Sequence, residues 1–133
     1  MVVNKKSEPS LLKLVLRVQS NLRRALAPIG VTPLQAGVLC YVREHSGVGV
    51  VVAAAAFRVE PPTLVDVVQD LVRKGWIIKR RAIKDRRVVC LRLSRKGEAL
   101  VRRIEPLVRD VEIQLSKKER NAFGMCLYYD FQP

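Results

Sequence analysis

The stretch Lys79 to Leu93, KRRAIKDRRVVCLRL, gathers seven bases around a single acid, Asp85. Like charges this dense repel one another and lower stability unless a polyanion offsets them. The chemistry they offer is charge-assisted hydrogen bonding to phosphate. Taken alone, such a run is as readily a solvated face, so its place in the fold has to decide. The other reactive residue types form no constellation. His45 is the sole histidine and cannot build the usual metal or triad sites. Cys40, Cys90 and Cys126 are an odd set without metal-ligand spacing, best read as packing residues or idle thiols; Cys90, expected to face outward, is the most open to modification. GVGVVVAAAAF, from Gly47 to Phe57, resembles a phosphate loop only in its glycines, because the Gly-Lys-Ser/Thr ending is absent. Neither catalysis nor a cofactor is expected.

The 133 residues are 49% hydrophobic and 28% charged, the balance of one ordinary globular domain. The net charge of +13 is local: from Arg73 to Arg103 there are thirteen Lys or Arg against Asp85 and Glu98. A local excess points to a binding surface. The opening MVVNKKSEPS has no apolar signal core, so a cytoplasmic location with thiols reduced is expected. The uncharged run from Ala25 to Val42 is broken by Pro28, Gly30 and Pro33 and is not a membrane span.

The elements that must position the basic run follow from hydrophobic period. Leu11, Val15, Val18, Leu22 and Ala25, with a second stripe at Leu12 and Leu16, predict a first helix starting after Ser7 and Pro9 and greasy on more than one side. TPLQ, Thr32 to Gln35, is a capping box with Pro at the first helical position; Leu34, Val38, Tyr41 and Val42 form the expected buried stripe as far as Gly47. Val50 to Phe57 predicts a short packed helix. A further helix starts near Pro61, with Leu64, Val67, Val68 and Leu71 inward and Pro62, Asp66, Gln69 and Arg73 outward, closed by Gly75. Two short helices joined around Val59 have the dimensions of a helix-turn-helix. A hairpin follows, Trp76 to Arg81 and Arg87 to Leu93, with Trp76 plugging its base. A long helix from Ser94 carries Leu100, Ile104, Leu107, Val111 and Leu115, with a bend expected at Pro106. SKKE from Ser116 caps a last helix through Phe123, Cys126 and Leu127.

Helix-turn-helix followed at once by a basic hairpin is a winged helix, in which one helix enters the major groove while the hairpin follows the backbone toward the minor groove. TPLQAGVLCYV, RVEPPTLVDVVQDLVRKGWI, KDRRVVCLRLSRKGEALV and LSKKE resemble, in order, the pattern of the multiple-antibiotic-resistance-regulator (MarR) family. The most specific piece is Asp85, Arg87, Leu93, Ser94 and Gly97. The resemblance implies a mainly α (α+β) winged helix-turn-helix as a single domain, 1–133. Segments 7–30 and 94–133 would form dimerisation helices, and 31–93 the DNA-binding lobe. It implies a homodimeric, sequence-specific regulator of double-stranded DNA, often released by a small molecule or a stress signal. It also implies DNA-facing roles for Pro62, Thr63, Asp66, Gln69 and Arg73 in the recognition helix, and for Arg80, Arg81, Lys84, Arg86 and Arg87 on the wing. Asp85 would hold Arg87 or a neighbour, and Arg86 would enter the minor groove. Some relatives sense oxidants through a first-helix cysteine, and this first helix has none.

The chain departs from the family at Val65 and Asp66, where members commonly carry Thr-Arg. Asp66 then either accepts from a cytosine amino group or merely caps or pairs with an arginine. The missing cation leaves open an architectural DNA- or RNA-binding protein without sequence preference, and, from another class, a protein-interaction subunit that has lost its operator. Apolar terminal helices expose more greasy surface than the central lobe covers, which favours two-fold pairing onto a partly palindromic site. A tyrosine near the helix junctions, among Tyr41, Tyr128 and Tyr129, could line an effector pocket.

Overall fold

The structure, a computed structural model, describes residues 10–115 and Glu119. The helix expected from Ser116 lies outside the described residues, as do Cys126, Tyr128 and Tyr129. The chain divides into two compact units, one of them Val31–Glu105 and the other formed by the chain on either side of it.

In the flanking unit, α1 is Leu11–Leu26. Its cap is Ser10, whose hydroxyl accepts from the Lys13 backbone N–H at 3.1 Å, so the start falls later than Ser7 and Pro9 suggested. Leu14 and Leu26 are buried, whereas Leu11, Leu12 and Leu16 are 72%, 75% and 62% exposed. The covered residues thus belong to neither expected stripe: Val15, Val18, Leu22 and Ala25 of the first are half-buried, while its Leu11 and both leucines of the second stay exposed. A 3-10 turn, Ala27–Ile29, ends at Gly30. Arg17 pairs with Glu119 at 3.6 Å.

In the central unit, α2 spans Pro33–Glu44. The Thr32 hydroxyl accepts from Gln35 N at 3.1 Å and the Gln35 side chain accepts from Thr32 N at 3.0 Å, the reciprocal cap expected from TPLQ. Its fully covered residues are Ala36, Val38, Leu39 and Val42; Leu34 and Tyr41 are only half-buried. Tyr41 stacks on His45, its ring 4.3 Å away, and meets Phe57 edge-on, which accounts for the histidine structurally. Arg43 bridges to Glu98 at 3.5 Å and to Glu105, tying α2 to the long helix.

A two-residue strand, β1 (Val48–Gly49), follows. The sequence gives no hint of it, because two residues have no period. Then come α3 (Val50–Phe57) and α4 (Pro61–Arg73). The turn between them places Arg58 in the left-handed region at φ 52°, and the N–H groups of Arg58 and Val59 close on the carbonyls of Ala55 and Ala54, each at 3.1 Å. Leu64, Val68 and Leu71 are buried at one helical face of α4. Gly75, at φ 80°, ends it.

β2 (Ile77–Arg81) and β3 (Val89–Leu93) pair antiparallel from Ile77 opposite Leu93 to Arg81 opposite Val89. β1 adds to the other side of β3, so the sheet is three-stranded in the order β1-β3-β2, not the simple hairpin expected. Leu91, in the central strand, is fully covered, and such a leucine stabilises by about 1.5–3 kcal/mol. α5 (Arg95–Gln114) starts at Ser94, whose hydroxyl accepts from Gly97 N at 3.0 Å and donates to the Gly75 carbonyl at 2.5 Å. It continues past Pro106 as one helix, and the boundary between the two units falls at that residue.

Candidate nucleic-acid interface

The wing tip is built by its one acid. Arg87 donates from Nε to Asp85 Oδ1 at 3.1 Å and from its terminal nitrogen to Oδ2 at 3.2 Å, while the Arg87 backbone N–H also reaches Oδ1 at 3.0 Å. Val88 N donates to the Asp85 carbonyl and Ala82 N to the Val88 carbonyl, closing the loop across its neck. These bonds hold the Asp85 carboxyl below the usual carboxylate range, the Arg87 side chain contributing most and its backbone next. Arg81 donates to the Arg86 carbonyl at 2.9 Å, so one base of the run is spent on shaping the tip. Among the described residues, Lys79, Arg80, Lys84, Arg86 and Arg92 have no carboxylate partner, and all are exposed. β2 is one of the two edges of the sheet, and its charged side chains also discourage pairing with another strand.

On α4, Pro62, Thr63, Asp66, Gln69 and Arg73 are all exposed, opposite the buried Leu64, Val68 and Leu71. Asp66 has no hydrogen-bond or ion-pair partner among the described residues, so the pairing with an arginine is not seen. Asp70 takes up the basic end of the helix. It accepts from Arg73 at 3.0 Å, from Gln35 at 2.9 Å, and faces Lys74 Nζ at 3.2 Å. Arg73 first and then Lys74 draw its carboxyl below the ordinary value. The i, i+3 and i+4 spacing of Asp70, Arg73 and Lys74 is the signal by which this cluster is readable in advance. Gln35, recruited from the α2 cap, is not readable that way.

Trp76 is half-buried where α4 gives way to β2, with Lys74 Nζ 5.2 Å from its ring centre. Its carbonyl accepts from Ser94 N at 3.1 Å. A Cβ on Gly97 would collide with that same carbonyl, which explains why a glycine stands in the first turn of α5. Cys90 is half-buried rather than open, opposite Gly49 of β1 and Arg80 of β2. Burial first, then Glu105 and Glu44, push the Cys40 thiol up, which keeps it protonated and weakly nucleophilic at neutral pH. Among the described residues no cluster of His, Cys, Asp or Glu could hold a metal ion, and no single helix is long and apolar enough to cross a membrane.

A helix pair joined by a tight turn, an exposed polar helix face and a cationic β-loop define a winged helix-turn-helix protein. A sequence model of the MarR family matches residues 29–88. A protein of Thauera aromatica named as a transcriptional regulatory protein for the hcr operon is 34% identical over 97 residues, 70% of this chain. The chain spans 57–58% of the length of the curated relatives it matches. The transcriptional repressor CouR, solved on a 23-mer DNA duplex, is 26% identical with a TM-score of 0.80 and 99% of both chains covered. BpsR of Bordetella bronchiseptica, solved in a study of regulation of its DNA binding by 6-hydroxynicotinic acid, is 22% identical with a TM-score of 0.77 and 96% of both chains covered. The chain belongs to the MarR family.

Proposed function

We propose that the protein is a sequence-specific, double-stranded DNA-binding transcriptional regulator, acting as a homodimeric repressor that a small molecule or stress signal releases. The observation that carries this reading is the wing: five exposed cations without carboxylate partners beside a tip already ordered by Asp85. Ordering the loop before it meets phosphate lowers the entropic cost of binding. α4 supplies the reading face through Thr63, Asp66 and Gln69, with Asp66 free to accept from a cytosine amino group and Gln69 able to pair with adenine. Arg80, Lys84 and Arg86 contact the backbone and narrow groove. The relatives' printed roles, a repressor on duplex DNA and a ligand-regulated DNA binder, support the repressor and effector parts.

The test uses a duplex selected from a random pool by the purified protein. The Arg86→Ala, Arg87→Ala double variant should weaken it roughly a hundredfold and reduce the salt slope by about one, since Arg87 is held by Asp85 and acts by ordering the tip, with an unchanged melting curve. Unchanged affinity would sink the wing assignment. The architectural reading rests on a specific observation: the one arginine on α4's exposed face, Arg73, is paired with Asp70. Equal affinity for scrambled duplex or single-stranded RNA at moderate salt would favour it.

A further inference from the structure

At the wing tip, amid Arg81, Lys84, Arg86 and Arg87, stands one large apolar side chain, Ile83, at 99% exposure. It is the most exposed of the large hydrophobic residues described, and among the described residues none covers it. Its neighbours are ordered: Ala82 N is bonded to the Val88 carbonyl, and Asp85 is fixed by Arg87. The isoleucine is therefore presented by a built loop at the point where the positive charge is densest. A cationic collar around an apolar tip matches one kind of surface closely, a groove walled by phosphates and floored by base edges and stacked rings.

We propose that Ile83 is an apolar wedge that enters the minor groove and partly unstacks a base step, making the wing sensitive to local duplex deformability. This rests on the duplex-binding reading and deepens it. The flanking cations draw in the two phosphate strands, and Ile83 leaves water against the base-pair edges. Opening a step costs least at flexible pyrimidine–purine steps and most in stiff A-tracts. Specificity thus arises at a position where no hydrogen bond is made.

Ile83→Ser, on a fully exposed loop, should leave the thermal melt unchanged. With the selected duplex, it should weaken binding about tenfold, as expected for losing one buried aliphatic side chain. The slope of log K against log salt should stay as in the wild type, since no phosphate contact is lost. A fluorescent adenine analogue placed at the step under the wing should brighten with wild-type protein and much less with Ile83→Ser, and wild-type preference for a TA step over an A-tract there should disappear. Equal affinity and equal brightening for the two proteins overturn the wedge; if the Arg86→Ala, Arg87→Ala double variant still weakens binding roughly a hundredfold, the regulator reading survives that failure. If that double variant also binds normally, or no duplex is bound at all, both fall. Wild-type binding to anionic phospholipid vesicles that Ile83→Ser loses, with duplex affinity unchanged, also overturns it, because the tip would then be a membrane probe.

Discussion

Asp85 does two jobs with one carboxylate. It accepts both nitrogens of the Arg87 fork and the backbone N–H of the same residue, and it thereby fixes which way the tip turns. Its folded-state pKa is depressed, so the ordering it contributes is present above the ordinary carboxylate value and is lost as pH falls through the lower folded value. Acidification from neutral to well below the ordinary carboxylate range should therefore loosen the tip while the core stays folded. The Arg87 side-chain Nε–H resonance should show it, exchanging slowly at neutral pH and broadening in acid; Asp85→Asn should show the loosened behaviour at every pH. A resonance indifferent to both would remove Asp85 from the role. The pair was legible in the sequence as an acid two residues from a base. The Gln35–Asp70 bond was not, because those residues are far apart in the chain and only packing of α2 beside α4 brings them together.

At the scale of elements, the wing depends on a junction where α4, β2 and α5 meet through backbone. The Trp76 carbonyl receives Ser94 N, and the Ser94 hydroxyl bonds both the Gly75 carbonyl and Gly97 N. Gly97 is needed because any Cβ there meets that carbonyl. Gly97→Ala should destabilise the central unit by about 1–3 kcal/mol, the usual cost of forcing extra volume into a packed site, and urea unfolding measures it. A loss under about 0.5 kcal/mol would show that the helix start yields freely. The short helices, the α2 cap and the two strands of the hairpin followed from period and capping residues. β1 did not, since Val48 and Gly49 become a strand only because β3 offers an unpaired edge. Arg58 also defied expectation, a non-glycine holding the left-handed turn between α3 and α4 at a cost of about 1 kcal/mol.

For the whole molecule, the question is what covers the leucines of α1. Leu11, Leu12 and Leu16 are largely exposed on one helix, and Ile113 on α5 is 58% exposed. So much aliphatic surface is costly in water, and two-fold pairing with a second copy would bury it. Leu12→Glu with Leu16→Glu should convert a dimer into a folded monomer in sedimentation velocity, and should weaken duplex binding because two linked lobes bind far better than one. A variant that still sediments as the dimer would place the interface elsewhere. The lobe itself should survive, as the buried set Leu39, Leu64, Leu71 and Leu91 belongs to the central unit.

The order of elements, the basic hairpin and the outward face of α4 were determined by the sequence alone, because period, caps and local charge act between residues a few positions apart. Tertiary structure decided which charges are spent and which are free. Arg73 and Arg81 are engaged by Asp70 and the Arg86 carbonyl, whereas Arg80, Lys84 and Arg86 keep their charge for a partner. It also left Ile83 bare at the tip. The spacing of Asp70 and Arg73 made their pairing legible, but the third bond to Asp70, from Gln35, and the exposure of each side chain depend on packing that the linear chain does not encode locally, and pairing or exposure, rather than residue type, sets what each side chain can do.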